Sequence, residues 1–255
     1  MIGSFIFNEV ESSVFNLVCK SVKRPLLPAA KVRRVELPGI SGVYDFDDND
    51  TEYDMRKITM KIQYIGTSFE ELRTRARQIA AWLGTSSFVK LRIHDEDDKY
   101  YLAKVTDEID LDTLFESGSA DIAFDCQPFA YSVTEVSHSF DIDAGISEPF
   151  THPGTRLINF RSPRGSKFKI IVNGLWTTIS LALNGKTLTY NTAGSGILTI
   201  DNIEMEVTYG STNVFNNLGG DTDTFLKVIP GSNTLVISGT GLDANITIEF
   251  IPLWL

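Results

Sequence analysis

The chain has only two cysteines, three histidines and four methionines in 255 residues, and each shortage excludes something. Cys19 and Cys126 lie in apolar, strand-like surroundings without C-x-x-C spacing. That argues against a disulfide scaffold or a zinc knuckle and predicts buried thiols. His94, His138 and His152 stand apart from one another, without the close spacing of a metal-binding pair. No apolar run approaches the ~20 residues of a membrane span, so no membrane insertion is expected. The opening MIGSFIFNEVESS has no basic start, apolar stretch or small-residue cleavage site, which predicts no secretory signal and folding in a cytoplasm. Also missing are the G-x-x-x-x-G-K phosphate cradle, the G-x-S-x-G elbow and the H-E-x-x-H helix. The sequence therefore names no catalytic residue, metal site or cofactor, and it is read as a non-enzyme. Basic residues are outnumbered, 23 Lys and Arg against 33 Asp and Glu, for a net charge of -10. This disfavours specific nucleic-acid binding, which needs clustered cations.

What is there is a globular composition, 42% hydrophobic and 22% charged, on a chain long enough for two domains. Charged residues thin out beyond Tyr131 while Gly, Asn and Thr rise. The expected organisation is a first domain over 1–133, a linker over 134–153 containing Gly145, Pro149 and Pro153, and a second domain over 154–255.

In the first domain, Phe5–Phe7 and Val14–Val18 suggest a hairpin around the polar Glu9–Ser13. Pro25 and Pro28 bar a central strand and suggest an extended edge or arm. Val35 to Tyr44 alternates around a Pro38-Gly39 turn. Six carboxylates then fall in the ten residues Asp45–Asp54. Asp45, Asp47 and Asn49 match the start of a calcium-loop register, but Asp50 and Arg56 stand where Gly and Glu are required, so a solvated acidic loop is expected. Ile58, Met60, Ile62 and Tyr64 form one face of a half-buried strand. Ser68 with Glu71 forms a capping box and Gly84 a stop, predicting a helix with the stripe Phe69, Leu72, Ala76, Ile79, Ala80 and Leu83. Asp95, Glu96, Asp97 and Asp98 crowd a hydrophilic turn, where solvated carboxylates are expected rather than acid–base chemistry.

The second domain reads as short strands between turn dipeptides, with Asn173-Gly174 and Asn184-Gly185 as hairpin signals. Ala193–Gly196 and Asp201-Asn202 are further turns. Regular short strands without a helix indicate a β-sandwich.

The segment from Trp82 to Tyr131 carries a resemblance. Trp82-Leu83 ends the helix, Asp95–Asp98 lead into Tyr100, Tyr101, Leu102, Ala103, Lys104 and Val105, and the segment closes on Cys126-Gln127-Pro128-Phe129. In that order the fragments resemble the distal tail protein family of long-tailed, non-contractile bacteriophages (siphophages). The Pro38-Gly39 turn before an acidic loop fits the same family, as do Pro230-Gly231 and Pro252-Leu253-Trp254 near the end.

The resemblance implies a mainly β chain with one main helix. It has a sandwich-like or split-barrel N-terminal domain and a C-terminal sandwich like a galectin or carbohydrate-binding module. It further implies a structural hub at the virion tail tip, assembled in the bacterial host cytoplasm as a homo-hexameric ring that lets DNA pass. Its partners would be the tail tube protein, the tail-associated (Tal) protein, the tape measure protein and a receptor-binding protein. On that reading Asp45, Asp47, Asp48, Asp50, Asp95, Glu96, Asp97 and Asp98 are candidates to line the lumen, and Arg24, Pro25, Arg73 and Arg77 to meet a neighbouring subunit. The alternative is a module that binds cell-wall polysaccharide, with Trp176, Tyr190, Tyr209 and Trp254 as candidate glycan contacts by residue type alone. A host two-domain β protein of another role is the third reading.

Overall fold

The computed structural model describes residues 3–32, 34–45, 51–66, 68–109 and 118–255, apart from the side chains of residues 44, 45, 69, 71 and 72. The chain divides into two units, Met1–Ala130 with Leu255, and Tyr131–Trp254.

The first unit runs through β1 (Phe5–Phe7), β2 (Val10–Glu11), β3 (Leu17–Lys23), β4 (Arg34–Val35), β5 (Tyr44–Asp45) and β6 (Arg56–Tyr64). Helix α1 (Phe69–Leu83) follows, then β7 (Val89–Ile93), β8 (Lys99–Val105) and β9 (Ser119–Cys126). The main sheet has the order β2-β1-β7-β8-β9-β6-β3 with antiparallel neighbours throughout. Gly3 and Cys19 exchange backbone hydrogen bonds of 3.3 and 2.7 Å. This joins the approach to β1 onto β3, so the two sides of the sheet meet and close a barrel.

The alternation in β6 buries Ile58, Met60, Ile62 and Tyr64 as expected, opposite Ala120, Ile122 and Phe124 of β9. Trp82 joins helix to barrel: its ring stacks on Phe15 at 4.8 Å and Phe5 at 5.7 Å, and its indole N–H donates to the Phe7 carbonyl at 2.8 Å. The helix buries Ile79, Trp82 and Leu83. Ala80, assigned to the apolar stripe from spacing, is exposed, because the seam follows the bulky indole around to the 79/82/83 edge. The side chains of Phe69, Glu71 and Leu72 lie outside the described residues.

The N-terminal hairpin differs from expectation. β1 turns through Asn8 and Glu9, both with positive φ (51° and 62°), into the short β2, and the chain makes a 3-10 turn at Ser12–Phe15 before β3. Two successive positive φ values are the requirement of a tight hairpin turn. Asn8 is suited to it and Glu9 is not, which is why no diagnostic dipeptide marks the turn.

In the second unit, β10 (Ala130–Ser132) at the division is followed by β11 (Val136–Ile142), β12 (Ile146–His152), β13 (Phe168–Trp176), β14 (Thr178–Leu183), β15 (Lys186–Tyr190) and β16 (Gly194–Asp201). Then come β17 (Glu206–Tyr209), β18 (Thr212–Asn213), β19 (Leu218–Gly220), β20 (Gly231–Thr240), β21 (Asp243–Phe250) and β22 (Leu253–Trp254). Two sheets result, β11-β21-β13-β16-β17-β18 and β12-β20-β14-β15-β19. Their inner faces, with Ile170, Val172, Leu181, Leu198, Leu235, Ile246 and Ile248, form the core of a sandwich.

Residues 134–153 are therefore not a linker. They supply β11 and β12, one outer strand to each sheet. Pro149 is accommodated because β12 pairs on one side only, with β20. Of the two Asn-Gly pairs, Asn184-Gly185 makes the expected turn between β14 and β15, with φ of 49° and 77°. Asn173-Gly174 lies inside β13, where Gly174 pairs with Gly196 of β16 on one side and Ala244 of β21 on the other. A Cβ on Gly174 would come within 2.3 Å of the Asp243 carbonyl oxygen. The glycine answers a close approach of strands rather than a turn, and the expected Ala193–Gly196 turn is likewise absorbed into β16.

Candidate functional site

The feature of the first unit least explained by its own core is an arm. At its root Ala30 and Tyr53 form a β-bridge, Asp54 donates its N–H to the Ala29 carbonyl at 2.8 Å, and the Tyr53 ring meets Phe129 edge-on at 5.9 Å. Beyond the root, β4 and β5 pair only with each other, Arg34 opposite Asp45 and Val35 opposite Tyr44. Pro38-Gly39 makes the turn, with the Ile40 N–H bonded to the Leu37 carbonyl. The arm and the strap leading into it expose large apolar side chains: Leu26 is 94% exposed, and Leu27, Val32, Val35, Leu37, Ile40 and Val43 are each exposed by two-fifths or more. Scattered apolar residues are ordinary on a surface, but a run confined to one projecting element marks an interaction site.

Two arginines fix the strap that leads into this arm. Arg24 binds Asp95 at 3.1 Å and Glu96 at 3.2 Å, and Arg56 donates to the Pro25 carbonyl at 3.2 Å. Both guanidinium groups lie against Tyr101, 5.9 and 5.6 Å from its ring centre. Arg56 is buried, at the position two before the alternating Ile58, Met60, Ile62 and Tyr64. Sequence reasoning passed over it, although its parity already placed it on the core face. Burial pushes the Tyr101 hydroxyl pKa up, opposed by the two nearby guanidinium charges.

The turn Asp95–Asp98 is matched by cations of its own chain. Lys99 reaches Glu96 at 3.1 Å and Asp98 at 3.0 Å, Arg92 lies 3.6 Å from Asp97, and His94 bonds Asp97 at 2.7 Å. The Lys99 hydrogen bond holds Asp98 below the usual carboxylate range. Lys99 itself is raised, because its bonds to Asp98 and Glu96 outweigh the opposing effect of burial. The carboxylates of this turn are at least part-exposed, as expected of a hydrophilic turn, and each is also within ion-pair distance of a cation of the same chain. Asp47, Asp48 and Asp50 lie outside the described residues, and Asp45 is described only as the backbone end of β5.

Arg24 and Pro25 thus serve first to seat the strap, while Arg73 and Arg77 lie exposed on α1. Among the described residues no group of three or more His, Cys, Asp and Glu is arranged to hold a metal ion, and no helix is long and apolar enough to cross a membrane.

The glycan candidates, named by residue type alone, lie at different depths. Trp176 and Tyr190 are buried, 3% and 4% exposed. Trp176 donates its indole N–H to the Thr192 carbonyl and meets Tyr190 and Tyr209 edge-on at 6.5 and 5.9 Å. Tyr209 uses its hydroxyl on the Ser195 backbone, accepting at 3.1 Å and donating at 2.7 Å. These three rings close one end of the sandwich, and the buried pair offers no face for a sugar to stack on. Trp254 is half-buried in β22.

Residues 12–126 match the phage tail protein RIFT-related domain family. No curated protein matches the sequence. Among solved structures, the Dit protein (gp 19.1) of phage SPP1, described as a paradigm of the hub adsorption apparatus in phages infecting Gram-positive bacteria, aligns over 100% of both chains with a TM-score of 0.75 at 14% identity. The phage p2 baseplate in its strontium-activated conformation aligns over 98% of both chains, at 13% identity and a TM-score of 0.47. The segment 12–126 is thus similar to the phage tail protein RIFT-related domain, and the chain as a whole has the fold of the SPP1 Dit protein.

Proposed function

We propose that this protein is the structural hub of a siphophage tail tip. Six copies form a ring that joins the tail tube protein to the tail-associated, tape measure and receptor-binding proteins, and DNA passes through the opening. The observation that carries this reading is the apolar arm, which sits within the segment that matches a phage tail family. Nothing among the described residues covers it, and a neighbouring copy would. A head-to-tail contact of this kind closes into a ring when the rotation between copies divides the circle.

Of the two acidic groups proposed to line the lumen, Asp45, Asp47, Asp48 and Asp50 on one hand and Asp95–Asp98 on the other, the second has its carboxylates matched by Arg24, Arg92 and Lys99, which reduces the negative charge it would offer. Unmatched carboxylates repel a phosphate backbone and keep moving DNA from adhering. Arg73 and Arg77 are assigned to a subunit contact on the exposed side of α1. Negative-stain imaging of the purified chain tests the reading: annular particles with six-fold symmetry are expected, and images of dispersed single chains at every concentration would overturn it.

A further inference from the structure

The outer strands of the sandwich carry polar side chains at positions that the register assigns to the core. His138 of β11 pairs with Ile248, and Glu148 of β12 pairs with Leu235. Both partners are buried, and directly paired residues share a face of their sheet. Other positions of the same parity, Phe140 and Ile142 in β11 and Ile146 and Phe150 in β12, are apolar, as an inward face requires. The half-buried Glu148 carboxylate therefore stands where the alternation calls for hydrocarbon, and the His138 imidazole at the matching parity of β11 is exposed. Neither has a hydrogen-bond or ion-pair partner among the described residues.

Between these strands opens a cleft of about 120 Å3, lined by His138, Phe140, Glu148, Pro149, Phe150 and Ile248, with Ser139 at its rim. The His138 and Phe150 rings lie 6.3 Å apart at 46°. A half-buried carboxylate without a partner gains from a counter-charge. Aromatic faces attract that counter-charge through their quadrupoles. The cleft falls below the ~300 Å3 at which pockets for drug-sized molecules begin, so it takes a head group rather than a whole saccharide.

We propose that this cleft binds the ammonium head of an alkylamine, primary or quaternary, with Glu148 as counter-ion and Phe140 and Phe150 as walls. The proposal concerns the second unit alone and is independent of ring formation. Its source is either a lysine side chain of a protein partner or a quaternary ammonium carried by a small molecule or polymer.

Calorimetric and NMR titration of the full chain tests it with choline, N-acetyl-lysinamide and 3,3-dimethylbutanol, the neutral carbon isostere of choline. At least one of the two cations is expected to bind about tenfold or more tightly than the isostere, with shifts at Phe140 and Phe150, and to lose about that factor in Glu148→Gln. Stronger binding of the lysinamide assigns a protein partner, and stronger binding of choline a quaternary ammonium. Phe140→Leu, which keeps the charge, should weaken the cation as well and provides a second variant should Glu148→Gln melt early. Equal affinity for cation and isostere, no binding of either cation, or full binding by Glu148→Gln overturns the proposal. Glu148 would then act as an inward-pointing charge that guards an outer strand against pairing.

Discussion

At position 152 a histidine is 1% exposed, with Nε2 donating to the Arg156 carbonyl at 2.7 Å and Nδ1 accepting the Gly154 N–H at 3.1 Å. Burial lowers its pKa below the ordinary 6.5, opposed by the Arg156 bond. The unfolded chain thus binds a proton that the folded chain refuses. The stability this neutral ring contributes is present above pH 6.5 and is lost as the pH falls below it. The melting temperature should drop more steeply for wild type than for His152→Gln between about pH 7.5 and about pH 5, and parallel curves would contradict this. The buried thiols work at the other end of the scale. Burial pushes Cys19 up to about 11 and Cys126 up to about 12. Both folded-state values lie above the ordinary 9.0, so stability should decline as pH rises beyond 9, and thiol reagents should label neither cysteine without unfolding. Trp82 is the side chain on which the helix seat depends. Trp82→Ala should cost about 3–5 kcal/mol in a denaturant titration, since it empties a site walled by Phe5, Phe7 and Phe15.

Among the elements, the two Asn-Gly pairs separate what a sequence reveals from what it hides. At Asn184-Gly185 the dipeptide sets the turn, and a Cβ on Gly185 meets nothing within 4 Å. Gly185→Ala should therefore cost only the positive-φ penalty, about 1–2 kcal/mol. At Gly174 the same residue type is fixed by Ala244 and Gly196, far away in the chain. Gly174→Ala should cost more, about 2–3 kcal/mol or outright loss of folding, because a backbone oxygen stands 2.3 Å from the new atom. Urea melts of the two variants compare these directly. The local code is identical at both sites, so only the pairing of β13, β16 and β21 distinguishes them. The strand β6 was legible because its alternation is complete within nine residues. The strands β11 and β12 were not, because one-sided pairing tolerates Pro149 and their outer faces are polar. The candidate site divides in the same way. The strap prolines and the Pro38-Gly39 turn announce an arm, whereas the seating of Arg24 and Arg56 on Tyr101 and the cations around Asp95–Asp98 depend on contacts between elements distant in sequence.

For the whole molecule, the chain divides into two units, one built on a closed sheet and the other a sandwich. A closed barrel removes the long open edges that would otherwise invite uncontrolled pairing, and on the proposed reading the apolar arm is where assembly is specified. The net charge of -10 keeps single chains soluble while that projection is uncovered. Leu37 and Ile40 are exposed on the arm, so aspartate there should leave the folding free energy of the single chain within about 0.5 kcal/mol of wild type while abolishing the proposed assembly. The most direct test is the mass in solution by light scattering, measured for wild type and for the Leu37→Asp, Ile40→Asp double variant at equal concentration. A six-subunit mass for wild type and a single-chain mass for a fully folded variant is the predicted result. A wild type that stays a single chain, or a variant that assembles as well as wild type, would contradict the account of the arm as the ring-forming element.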